Sequence, residues 1–144
     1  MNSLDTNILL YAANTSAPEH AKALAVVNEM LSHPSEWILS DQVLWEFYKA
    51  LRHPKILQKP RTAPQAAEQV RFLREQSGVA CCAYEIAFFD DVLQLLEKPR
   101  FPYQRTHDTV LGATLRRHGV KTFYTRNQKD FADVGFSKVV NPID

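Results

Sequence analysis

Short apolar runs alternate along the chain with longer stretches whose apolar residues recur three and four positions apart. The first pattern predicts buried strands and the second amphipathic helices. Asn2-Ser3-Leu4 is a strand candidate that stops at Asp5, and the apolar run 8–13 behind it predicts a short helix. Ala17-Pro18 opens a longer helix, with Pro18 suited to a first turn and Ala21, Leu24, Val27 or Asn28, and Leu31 on one side; Pro34-Ser35 stops it. Trp37-Ile38-Leu39 predicts a second strand. Ser40 is a good N-cap for the next helix, which carries Val43, Leu44, Phe47 and Leu51 and ends before Pro54. After a basic connector at 54–62, a helix is predicted over 63–76, closed by Ser77-Gly78. Val79-Ala80-Cys81-Cys82 predicts a strand. Tyr84 to Glu97 predicts a helix with Ile86, Phe89, Val92, Leu93 and Leu96 as its buried stripe. A loop through Pro99 and Pro102 leads to a helix from His107 to His118, capped by Thr106 and closed by Gly119. Val120 to Tyr124 is a strand, 126–132 a turn with one helical turn, and Lys138-Val139-Val140 a last strand.

Strands thus alternate with helices over the whole length, which predicts an α/β fold: a three-layer α/β/α sandwich around a mostly parallel sheet. No repeat, linker or low-complexity tract divides the 144 residues, so residues 1–144 are read as a single domain. No apolar run is long enough to span a membrane, and the N-terminus has no basic segment of the secretory type, so a cytoplasmic location is expected. Cys81 and Cys82 are adjacent and rarely pair in that arrangement; they read as reduced, buried core residues. The five histidines show no zinc-ligand spacing with them.

The formal net charge is only +1, but its order along the chain is uneven. Residues 49–74 hold seven basic side chains against Glu68, and 98–129 hold eight against Asp108, whereas 75–97 hold none. Basic blocks between acidic ones either build a phosphate-binding surface around an acidic centre or are solvated faces that cluster by sign.

Ligands of parallel sheets bind beyond the carboxyl ends of the strands, so the acids placed there matter. Asp5 follows the first strand, Asp108 opens a late helix, Asp130 follows the strand 120–124, and Glu46 lies within the helix after Ser40. Each has an ordinary alternative: an N-cap for Asp5, an exposed helix carboxylate for Glu46, a favoured first-turn acid for Asp108, and a turn residue for Asp130. Together they predict acids converging on one sheet edge, where mutual repulsion calls for a divalent cation. All-oxygen ligands point to Mg²⁺ or Mn²⁺.

Four segments carry a family resemblance: Leu4-Asp5-Thr6-Asn7-Ile8-Leu9-Leu10-Tyr11-Ala12, Ser40-Asp41-Gln42-Val43-Leu44-Trp45-Glu46-Phe47, 106–115 around Asp108, and 123–131 from Phe123 through Asn127 to Asp130. In this order, and over nearly the whole length, the chain resembles PIN-domain ribonucleases, specifically the VapC-like toxins of toxin–antitoxin modules. The resemblance implies a metal-dependent endoribonuclease. It makes Asp5, Glu46, Asp108 and Asp130 the catalytic acids, with Asp5, Asp108, Glu46 and Asn127 as metal ligands. Asn127 stands where the family commonly has an acid; whether it or Asp130 completes the site is left open. Asn7 and Thr125 match polar positions that orient the acids. Arg105, Arg126 and Lys129 are candidates for RNA phosphate contacts, and Lys49, Arg52, Lys55 and Arg61 extend that basic surface. The resemblance also implies an RNA substrate, a cognate antitoxin, which Trp45, Phe47 and Tyr48 could meet if they are not core, and a homodimer. His107 reads as a neighbour of the site. Asp90-Asp91 reads as surface, and Asn7, two residues after Asp5, argues against an aspartyl-nucleophile phosphatase. The alternative function is a catalytically weak PIN-like RNA-binding or regulatory module.

Overall fold

The computed structural model describes residues 1–144. Five strands are present: β1 (Asn2–Leu4), β2 (Ile38–Ser40), β3 (Ala80–Cys82), β4 (Thr122–Tyr124) and β5 (Lys138–Val140). Seven α-helices join them: α1 (Thr6–Ala13), α2 (His20–Ser32), α3 (Asp41–Leu51), α4 (Ala63–Arg71), α5 (Phe89–Leu96), α6 (Thr106–Arg117) and α7 (Gln128–Phe131). All strand pairs are parallel: β1 with β4, β4 with β5, and β2 with β3. A parallel bridge from Asn2 to Trp37 joins the two groups, giving the order β3-β2-β1-β4-β5.

The chain moves outward from β1 to β3, then jumps back to β4 and moves the other way. Parallel crossovers are right-handed, so the helices of the two halves cover opposite faces of the sheet. The packing agrees: α1 packs on α2 and α3, and α3 on α4, whereas α6 packs on α5 and α7. The reversal falls between β1 and β4, and such switch points open a crevice beyond the strand ends. The core runs continuously through all of this, from Leu4 and Ile8 to Phe123 and Phe131.

Local signals account for most boundaries. Ser40 Oγ accepts the Gln42 N–H at the start of α3. Thr62 and Gln65 form a capping box on α4, which runs on through a wider π turn, Phe72–Gln76. Gly119 ends α6 at φ +82°, a conformation side chains resist. Gly112 has a different use: a Cβ there would lie 2.5 Å from Val134 Cγ1, so its absence lets the segment after α7 lie directly on α6.

Some expectations are corrected. The second helix begins at His20 rather than beside Pro18, and it buries Ala23, Val27 and Met30, so of the predicted face Val27 alone is fully covered. Thr106 does not cap α6: it is the first helical residue, and its hydroxyl donates to the Tyr103 carbonyl at 2.6 Å. The segment 84–97 forms a 3₁₀ turn and the short helix α5, in which only Val92 is buried; Ile86 is 88% exposed and Phe89 57%. Periodicity names the residues that share a face; it does not supply the element that covers it. Cys82 is buried as expected, with its thiol pushed up to about 12 by burial, whereas Cys81 is only half-buried.

Candidate active site

The crevice at the switch point is built from the ends of β1 and β4. The ladder continues one residue past β1, with the Asp5 N–H donating to the Tyr124 carbonyl at 2.9 Å, and past β4, with Thr125 donating to Val140. This brings Asp5 and Thr125 side by side, although they are 120 residues apart in sequence. The Thr125 hydroxyl, fully buried, donates to Asp5 Oδ2 at 2.8 Å and accepts the Asn127 N–H at 3.0 Å. Asp5 Oδ1 accepts the Thr6 N–H at 2.8 Å, so Asp5 is indeed the N-cap of α1. Asn7 Nδ2 reaches Asp5 Oδ2 at 3.4 Å, while its Oδ1 accepts the Arg126 N–H. Asn7 and Thr125 therefore hold the same oxygen of the first acid.

Asp5 is 7% exposed. Burial is the main cause that lifts its pKa from 3.8 to about 6; the hydrogen bonds from Thr125 and Thr6 oppose this, and the charges of Asp108 and Glu46 add to it. Asp108, in the first turn of α6, is half-buried and also raised, first by burial and then by Asp130 and Glu46. Glu46 is exposed on α3; its Oε2 accepts the Thr6 hydroxyl at 2.7 Å and its Oε1 accepts Gln42 Nε2 at 3.3 Å. Gln42 also donates to the His107 carbonyl at 3.2 Å, tying α3 to the start of α6. Asp130 lies half-exposed on α7, and Asn127 is at the N-cap position of that helix.

The charges of Asp108 and Glu46 act on Asp5, and those of Asp130 and Glu46 act on Asp108. No three of the His, Cys, Asp or Glu side chains close up into a compact ligand group. The donor chemistry fits a hard divalent cation: carboxylate and amide oxygens, with negative charge concentrated beyond what burial favours.

The basic residues fare differently. Arg105 is not a free cation: its guanidinium forks onto Asp133 and donates to the Asp130 carbonyl at 2.8 Å. Arg61 turns inward as well, donating to the Ala13 carbonyl at 3.2 Å and to Gln69 at 3.1 Å. Arg126 is drawn to the Tyr11 hydroxyl and lies 3.6 Å from Glu19. Lys129, Lys49, Arg52 and Lys55 are exposed. Thr6 and Gln42 escaped the sequence reading. Gln42 had a signal, since it stands one helical turn before Glu46.

The Thr125 hydroxyl is the chief neutral support of a buried charge, which makes it testable. In Thr125→Val the Asp5 oxygen and the Asn127 N–H lose their partner with little change in shape. Leaving buried polar groups unpaired costs about 1–3 kcal/mol. Urea unfolding at pH 7 should show a loss of that size, and NMR titration should place the Asp5 pKa above its wild-type value. Unchanged stability with an unchanged Asp5 titration would contradict this account.

Comparison with known proteins agrees with the geometry. The PIN domain family model matches residues 3–137. Ribonuclease VapC24 of Mycobacterium tuberculosis is 39% identical over 143 residues, which is 99% of this chain and 97% of that protein. Ribonuclease VapC48 of the same organism is 22% identical over 90% of this chain and 88% of its own length. Among solved structures, M. tuberculosis VapC20, described as a sarcin-ricin loop cleaving toxin, superposes with a TM-score of 0.67 at 18% identity, covering 94% of this chain and 96% of that one. FitAcB from Neisseria gonorrhoeae superposes with a TM-score of 0.64 at 16% identity, covering 99% and 98%.

Proposed function

The chain belongs to the PIN-domain family, among its VapC ribonucleases, and from that premise we propose that it is an endoribonuclease dependent on Mg²⁺ or Mn²⁺, the toxin of a toxin–antitoxin pair. The observation that carries the reading is the buried carboxylate of Asp5 at the switch point, raised to about 6 and faced by Asp108 and Glu46. This is an excess of negative charge that a cation relieves. Asp5, Asp108 and Glu46 would hold the ion, with Asn127 offering its amide oxygen and Asp130 acting on Asp108 through its charge. When bound, the ion supplies charge neutralisation and polarisation for phosphodiester hydrolysis.

The chain's own residues divide the remaining work. Both Asp5 oxygens already accept hydrogen bonds, so Asp5 is an anchor. Asp108 accepts no side-chain bond within the protein and is half-exposed, so it is the acid available to orient an attacking water and take its proton. Exposed Lys129 within α7, Lys49 in the last turn of α3, and Arg52 and Lys55 just after it offer phosphate contacts.

The partners we propose are RNA, a cognate antitoxin and a second copy of the chain. The exposed apolar face of α5 and a 340 Å³ apolar groove between α1, α2 and α4 are surface that protein partners would cover. No helix is long and apolar enough to cross a membrane, and a cytoplasmic site of action goes with the RNA substrate.

The test is incubation of the purified chain with a mixed pool of structured RNA, with Mg²⁺ or Mn²⁺ and with EDTA, beside Asp108→Asn. Cleavage should require the metal and slow by about 10²–10⁴-fold in the variant, the range for a positioned proton acceptor. A well-folded wild type that binds RNA and leaves it intact would replace the enzyme by an RNA-binding module.

A further inference from the structure

We propose that Arg105 is a positioning residue of the acidic crevice: its guanidinium staples the start of α6, which presents Asp108, to the end of α7, which presents Asp130. The proposal rests on the nuclease reading for the identity of the acids. Arg105 immediately precedes α6, and Asp133 follows α7. One amino group donates to Asp133 Oδ2 at 3.3 Å; the other reaches Asp133 Oδ1 and the Asp130 carbonyl, at 2.8 Å to the latter. The Phe101 ring lies 5.7 Å below the guanidinium carbon. The Arg105 side chain keeps only 19% of its surface exposed.

This contact has a task to perform. α7 is four residues long and has no side-chain N-cap. A single turn is not stable alone, so its direction must come from tertiary contacts. Gly112 brings Val134 against α6 and sets the spacing, but a van der Waals contact leaves the segment free to slide. A planar fork on a carboxylate fixes direction as well as distance, and a lysine cannot reproduce it. Because the second donor takes the carbonyl of Asp130 itself, the staple acts on the backbone of the acid it positions. The same geometry argues against a phosphate contact, since the fork already faces the Asp133 charge.

Mn²⁺ titration calorimetry on wild type, Asp133→Asn, Arg105→Lys and the double variant tests the staple. Steady-state cleavage and RNA binding are measured beside it. Asp133→Asn is nearly isosteric and its side chain is 66% exposed, so folding is kept and circular dichroism checks it. Each single variant should weaken Mn²⁺ binding by about tenfold and lower kcat with KM for RNA unchanged. The double variant should be no worse than Arg105→Lys alone, because Asp133 acts only through Arg105. The proposal is overturned if Asp133→Asn keeps wild-type Mn²⁺ affinity, whatever Arg105→Lys does to KM. A wild type that binds Mn²⁺ and does not cut RNA sinks the nuclease reading alone, and the Mn²⁺ affinities still decide the staple. A wild type that binds no Mn²⁺ overturns both.

Discussion

Asp5→Asn is expected to abolish cleavage and at the same time to stabilise the fold at neutral pH. Activity should fall by at least about 10³-fold, because the anchor of the acidic crevice loses its charge while keeping its shape. The gain in stability follows from burial. The folded pKa of Asp5, about 6, lies above its ordinary 3.8. Between these values the folded chain holds a proton that the unfolded chain has released. This contribution is complete below about pH 4 and is lost as the pH rises through about 6. By pH 8 the buried charge costs on the order of 3 kcal/mol. Asparagine carries no such cost, and it can still accept from Thr6 and donate to the Thr125 oxygen. Urea unfolding in EDTA should therefore find the variant more stable by about 1–3 kcal/mol at pH 8 and nearly equal to wild type at pH 4. A variant no more stable than wild type at pH 8 would mean that the crevice is wetter than its geometry implies.

Phe123→Ala should have the largest effect on stability. Phe123 is the middle residue of β4, which lies between β1 and β5, and it is fully buried. Its ring packs at 4.7 Å from that of Phe131 and 5.1 Å from that of Phe136. Truncating a buried phenylalanine costs about 3–5 kcal/mol, a large part of the stability of a domain this size. The melting temperature should drop by at least about 10 °C. Cleavage at 37 °C should fall with it, because Thr125 directly follows the same strand and Asp130 adjoins Phe131. A loss below about 1 kcal/mol would show that the neighbouring rings close the cavity at little cost.

Much of the layout was legible in residue order alone. The alternation of short apolar runs with periodic stretches locates all five strands within a residue or two, and it predicts the parallel, layered fold. Ser40, Ser77-Gly78 and Gly119 mark element ends because their signals are local: one hydroxyl reaching one N–H, or one backbone angle that side chains resist. The acids are legible for a related reason. A carboxylate at the end of an apolar strand stands out against its neighbours, and four such segments in a family's order carry the resemblance.

The misreadings share one physical cause. Residue order says which side chains lie on one face of an element, but what meets that face comes from chain segments far away. Thus the apolar stripe of α5 is real and largely uncovered, and Arg105 and Arg61 look like free cations but are bound to Asp133 and to the Ala13 carbonyl. Thr6 and Gln42 gain their part only because α1, α3 and α6 converge. By itself the sequence determined the element order and the fold class, since these depend on local backbone preference and on spacing. Only the tertiary structure decided that Asp5 is nearly sealed from water, that Thr125 holds it from across the sheet, and that one arginine is spent on aligning α7. Burial and pairing are properties of the space between elements, and that space exists only once the chain reverses at β1 and β4.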